Sequence, residues 1–173
     1  MPARWARTGL ALLAVALTAW LGVRAVAAFD VGRHRAEASA LLRSPDLRTF
    51  DLPPFPTGRA EGISGRFQHR PDGWLSVVTL RGLPPVSGDD RYLVFMRNWG
   101  GWALAGAVRP DARGQAQVRY AAEPRARTIY EVIVTRGVDD AANIPHGEPL
   151  LRWYDRSRAP PRAGPFDFDN PLS

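Results

Sequence analysis

Three histidines, two pairs of adjacent aspartates and a few tryptophans are the side chains of this chain whose types could do chemistry. His34, His69 and His146 would have to converge to make an imidazole metal site. They are far apart and fall in an expected stalk, turn and loop, so they read as exposed histidines. Asp89-Asp90 and Asp139-Asp140 offer hard oxygen donors of the kind Ca²⁺ takes, without the interleaved ligands and Gly spacing of a calcium loop, and read as solvated turn aspartates. No GxSxG, P-loop or GxGxxG run occurs, which leaves acyl transfer and phosphate handling without a motif. The absence of Cys excludes disulfides, thiol catalysis and Cys-based zinc sites. The expectation is a protein with no catalytic residue, no metal and no cofactor. Trp99 and Trp102 flank a Gly-Gly turn and form the one candidate ligand surface, where rigid aromatics could meet a sugar, peptide or lipid headgroup. The alternative, preferred here, has Trp102 and Trp153 in the core and Trp99 exposed.

Charge narrows the partners. The 173 residues carry a net charge of +6, and every basic side chain other than histidine is Arg. These arginines are scattered singly among Asp and Glu with no basic helix to gather them, so nucleic acid is not an expected partner.

The elements that would position these residues are strands. Between Thr79 and Asp111 the pattern reads strand, Pro-closed turn, strand, Gly-Gly turn, strand. Tyr92, Val94 and Met96 alternate with Leu93, Phe95 and Arg97, and Asn98 to Gly101 supplies a tight reversal. Trp102, Leu104 and Val108 are expected on one face of the returning strand, opposite Ala103, Ala105 and Ala107. Upstream, Ser44 to Leu52 leads into a first strand closed by Pro53, Pro54 and Pro56. Ala60 to His69, with Gly65 as a candidate bulge, should pair with Trp74 to Leu80 across the Asp72-Gly73 turn. Downstream, Gln115 to Ala121 alternates cleanly, Thr128 to Arg136 is apolar on nearly both faces as a central strand would be, and Pro149 to Tyr154 closes the set. About seven or eight short strands with Gly and Pro turns predict a mainly β domain, an antiparallel β-sandwich over 46–155. The Pro-rich end, 156–173, is expected to be disordered, or at most to lie across the domain through Phe166 and Phe168.

The N-terminus reads as a targeting segment. Arg4 and Arg7 in the short n-region (1–8) precede an apolar run whose Leu10, Leu12, Leu13, Val15, Leu17, Trp20, Leu21 and Val23 would face lipid. Taken as 9–29 it is about 20 residues long, enough for one transmembrane helix. A helical stalk (30–45) would follow. Ala25-Val26-Ala27 is also a small-x-small cleavage signal, so a removable signal peptide is the rival reading.

Gly82-Leu83-Pro84-Pro85, Tyr92-Leu93-Val94-Phe95, Gly100-Gly101, Ala105-Gly106 and Pro110-Asp111 with Gly114 resemble, in order, the extracytoplasmic C-terminal domain of anti-sigma-K factors (RskA-like). The resemblance covers roughly Ser44 to Trp153 and rests on turn residues: Gly82, Pro84, Pro85, Gly100, Gly101 and Gly114. It implies a cell-membrane protein, single-pass, with the C-terminal domain extracytoplasmic, taking part in control of an extracytoplasmic-function sigma factor. This chain departs from the family in two places. Only Met1 to Thr8 precedes the apolar run, where relatives carry a sigma-binding domain, and the family's "VT.EP.GGs" run is here Val134 to Asp140. Direct sigma binding is therefore not expected, and a separate anti-sigma or sigma regulatory protein would be the partner. The alternative is an envelope-anchored or secreted binding or structural module unrelated to transcription.

Retention of residues 9–29 predicts that the whole chain fractionates with the cytoplasmic membrane. A soluble form whose N-terminus is Ala28, read by mass spectrometry, would replace the anchor with a secreted domain.

Overall fold

The computed structural model describes residues 43–56, 60–70, 75–121, 128–140, 142–161 and 163–166. The chain divides into two compact units, Met1–Ala40 and Leu41–Ser173. The expected anchor, most of the stalk, the Asp72-Gly73 turn and Trp74 lie outside the described residues. Among the described residues there is no helix, and hence none long and apolar enough to cross a membrane.

The described part of the second unit is mainly β, with eight antiparallel strands in two sheets. The strands are β1 (Arg48–Leu52), β2 (Ser64–His69), β3 (Leu75–Arg81), β4 (Asp90–Asn98), β5 (Gly101–Val108), β6 (Ala116–Ala121), β7 (Glu131–Val138) and β8 (Glu148–Tyr154). Sheet A has the order β1-β2-β3-β6 and sheet B the order β5-β4-β7-β8. The expected pairing of the second and third strands is present, with Phe67 opposite Val78. Both sheets supply one core: Leu52, Phe67, Val78, Leu80 and Val118 from sheet A, and Tyr92, Val94, Met96, Val132, Val134, Leu151 and Trp153 from sheet B. β7 is central, between β4 and β8, and Val132, Ile133 and Val134 are all fully buried. That is the two-sided burial its continuous apolar run predicts.

Two expectations about register are corrected. Gly65 is not a bulge, because β2 keeps unbroken register with both neighbours. It is small because a Cβ there would stand 2.8 Å from Leu151 Cδ1 of β8. The irregularity lies instead between β4 and β5, where Val94 pairs with Gly106 and Phe95 with Leu104, leaving Ala105 as the extra residue. A bulge of one residue reverses the faces beyond it. Trp102 and Leu104 therefore share the outer face with Arg97 and Phe95, whereas Val108 turns inward against the core. A second shift between β7 and β8 falls at Val134/Thr135 and skips Leu150, so Leu150 and Leu151 both reach the core.

The turns between the sheets are tied together. Leu83 N donates to Gly114 O at 3.0 Å, and the buried Tyr92 donates its phenol to Pro84 O at 2.8 Å. Gly82 has φ 71°, and a Cβ on it would stand 2.0 Å from Gly62 O. Gly101 has φ 115° with open space around it, while Gly100 N donates to Asn98 Oδ1 at 2.7 Å.

These two glycines should separate strain from collision. Gly101→Val is expected to cost about 1–2 kcal/mol from backbone strain. Gly82→Ala adds a backbone clash to the same strain and should cost more than about 2 kcal/mol. Urea midpoints at constant m-value measure both.

Candidate functional site

The two tryptophans of the candidate ligand surface do not form one platform. Trp99 sits at the tip of the β4–β5 hairpin, 66% exposed, with its Nε1 donating to Arg158 O at 2.9 Å. Trp102 is half-buried on the outer face of sheet B, edge-on to Phe166 at 5.2 Å and beneath the Arg97 guanidinium at 5.3 Å. Trp153 is in the core as expected, tilted against Phe50 at 4.7 Å and Phe67 at 5.1 Å. The chain after β8 accounts for Trp102. Phe166 is 6% exposed, so the Pro-rich segment up to that residue lies across the outer face, while Phe168 is outside the described residues.

What holds this strap is a carboxylate that the strand pattern does not single out. Glu131 opens β7 and has no solvent exposure. Its Oε1 accepts from Arg152 Nε at 2.9 Å, Arg152 Nη2 at 2.7 Å and the Phe166 backbone N–H at 3.0 Å. Its Oε2 faces Arg97 Nη1 at 3.4 Å. Arg97 also donates to Gly164 O at 3.2 Å and stands over the Tyr130 ring at 5.7 Å. Burial raises the Tyr130 pKa above its ordinary value, with Arg97 opposing the shift. The Tyr154 phenol donates to Ala163 O at 2.7 Å, a further tie on the strap. Cross-strand register brings the charges together, because Arg97 on β4 pairs directly with Glu131, and Arg152 on β8 lies diagonal to it. One acidic residue inside the otherwise apolar Thr128 to Val134 run was the available sequence signal.

The histidines are likewise redistributed. His69, expected in an exposed turn, is a strand residue 3% exposed, stacked on Phe67 at 5.0 Å and Phe50 at 5.8 Å. Burial pushes its pKa below the ordinary imidazole value. The hydrogen bond to Arg70 O pulls the other way, and the Arg158 and Arg48 guanidiniums lower it further. His146 lies in the loop before β8, as expected, but packs edge-on to Phe95 at 5.3 Å, with Nδ1 2.9 Å from Ile144 O and Nε2 3.1 Å from Val138 O. The aspartate pairs serve local structure. Asp90 Oδ2 pairs with Arg136 Nη2 at 3.2 Å, and Asp140 Oδ1 accepts from Ala142 N at 3.0 Å. Among the described residues no three acids or histidines are grouped as metal ligands.

The outer side of sheet A carries a shallow polar groove of about 150 Å³ lined by Asp51, Ser64, Arg66, Gln68, Thr79 and Arg81. It is smaller than the roughly 300–1,000 Å³ of small-molecule sites. Its Arg66–Asp51 pair, 3.4 Å apart, is well exposed and of little energetic weight.

Compared with protein-family models, curated proteins and solved structures, the chain shows no significant match to any of them.

Replacing Glu131 tests the strap's anchorage. Glu131→Gln leaves two guanidiniums short of their counter-charge, and because both are partly exposed the cost should fall near the lower end of the usual 3–5 kcal/mol, about 3 kcal/mol. Amide exchange at Phe166 should accelerate in the same variant, whereas Arg119→Gln on the exposed face of β6 should leave both readouts within about 0.5 kcal/mol of the parent.

Proposed function

We propose that this chain is a membrane-anchored extracytoplasmic β-domain, RskA-like in character and built as an antiparallel sandwich, that acts by binding and without catalysis as an accessory of an extracytoplasmic-function sigma/anti-sigma system. The observation that carries this reading is the job done by the residues that bear the resemblance. Gly82 abuts Gly62 O, Leu83 N bonds Gly114 O and Tyr92 bonds Pro84 O. Gly82, Leu83, Pro84, Tyr92 and Gly114 thus lie where the turns after β3 and β5 meet, and Gly100-Gly101 closes the β4–β5 hairpin, which is what a pattern specifying a domain, and not an active site, would do. The pooling of core residues from both sheets supports the sandwich. The apolar run from Leu10 to Val23 supports the anchor, and the partner in this reading is a separate anti-sigma or sigma regulatory protein.

A second reading is an envelope binding module with no tie to transcription. The exposed indole of Trp99 at a hairpin tip favours it, since an exposed aromatic is a common binding anchor.

Deletion of the reading frame separates the two. The regulatory reading expects a changed output from the promoters of one extracytoplasmic-function sigma factor, restored by the full chain. An unchanged output under envelope stress would remove that reading and leave the binding module.

A further inference from the structure

His69, Arg158 and Trp99 join three parts of the molecule: the end of β2 in sheet A, the segment after β8, and the hairpin tip of sheet B. His69 Nε2 is 2.8 Å from Arg158 Nη1, and Nδ1 is 3.0 Å from Arg70 O. A guanidinium is only a donor, so Nε2 must accept. The single proton of the neutral ring then sits on Nδ1 and is donated to the Arg70 carbonyl. Arg158 is held on its other side by Asp155, Nε to Oδ2 at 3.1 Å, and stands over the Phe50 ring at 5.4 Å. Its backbone oxygen receives the Trp99 indole N–H. A second proton on His69 would set two donors face to face and place an imidazolium against Arg158, with Arg48 of β1 as a further cation acting on the ring. Asp155, the acid in this cluster, is already engaged by Arg158.

We propose that His69, Arg158 and Trp99 form an acid-sensitive latch, in which neutral His69 holds Arg158, Arg158 holds the Trp99 hairpin tip, and protonation of His69 expels Arg158 and frees the tip. Phe67, Phe50 and Trp153 enclose the ring's surroundings, so the new charge gains little solvation until Arg158 moves. The sign follows from linkage. The latched state holds the His69 pKa below its ordinary value, so latch stability is level above about pH 6.5. It falls as the pH drops from there toward the depressed value, by up to about tenfold in the latching equilibrium per pH unit for one linked proton. Trp99, the most exposed of the large hydrophobic residues among the described residues, is therefore presented in a fixed direction at neutral pH and released in acid. This goes beyond the reading of the domain as a binding accessory and does not depend on where the domain resides.

The full-length chain, labelled with ¹⁵N-tryptophan in detergent micelles, provides the test. Its six indole N–H signals can be followed together, with Trp99 assigned through Trp99→Phe. Protection of the Trp99 indole, corrected for the intrinsic pH dependence of exchange, should begin to fall below about pH 6.5, and the His69 C2–H signal should titrate at lower pH, where that fall ends. The Trp153 signal should keep its protection. His69→Gln and Arg158→Met should each abolish the pH dependence, and the second serves alone if the first does not fold. The latch is overturned if His69 titrates while Trp99 stays protected, if His69 stays neutral down to acid unfolding, or if a folded variant keeps the parent's pH profile.

Discussion

The fully buried Glu131 carboxylate is the interaction on which the outer side of sheet B depends. An ion pair removed from water is tolerable only when its remaining hydrogen-bonding capacity is met. Here the requirement is met from three directions: Arg97 on β4, Arg152 on β8 and the Phe166 backbone N–H of the strap. Each ties a different piece of chain to the same two oxygens. The register of β4, β7 and β8 near their shared end and the path of the Pro-rich segment are thus coupled through one side chain. The guanidiniums are used twice, since Arg97 also covers Trp102 and Tyr130, and Arg152 stands over Phe55 and Tyr154.

On the inner face of sheet B, beside Glu131 and Arg152, the solution is aromatic. Phe50, Phe67 and Trp153 pack together across the two sheets, with His69 stacked on the first two. His69 is the polar member, and both its ring nitrogens are satisfied, one by Arg70 O and the other by Arg158. Burial of that ring is possible because the strap returns over it after β8. The strap is therefore a structural part of the domain on both the Glu131 and the His69 side. The β4–β5 hairpin tip is bonded to the strap through Trp99 by the same route.

The two register shifts in sheet B explain why its faces are less regular than those of sheet A. The extra residue at Ala105 sends Trp102 to the outer face and Val108 to the core, and the shift opposite Val134/Thr135 admits two consecutive leucines to the interior. Bulges also increase local twist. In sheet A the close approach to sheet B is obtained differently, by leaving out a side chain at Gly65 where Leu151 fills the space.

The sequence by itself determined which segments are strands, because period-2 alternation and Gly or Pro turns are local properties of the backbone. The inward face of Gln115 to Ala121 and the burial on both faces of the Thr128 to Arg136 run could be assigned on that basis alone, and Gly82 and Gly101 their roles as turn residues. The exposure of Trp99 and the burial of Trp153 were also within reach of the pattern. Tertiary structure decided everything that depends on a partner distant in the chain. Alternation along one strand does not reveal a one-residue insertion opposite its neighbour, so the turn of Trp102, expected in the core, and of Leu104 to the outer face was hidden. Nor does a single Glu in an apolar run disclose that arginines 34 residues before it and 21 residues after it meet its two oxygens. His69 looked like a turn residue beside Arg70-Pro71 until a guanidinium 89 residues away closed over it. These contacts are fixed by register, sheet order and the return of the strap, and desolvation gives them their weight only once the fold has closed.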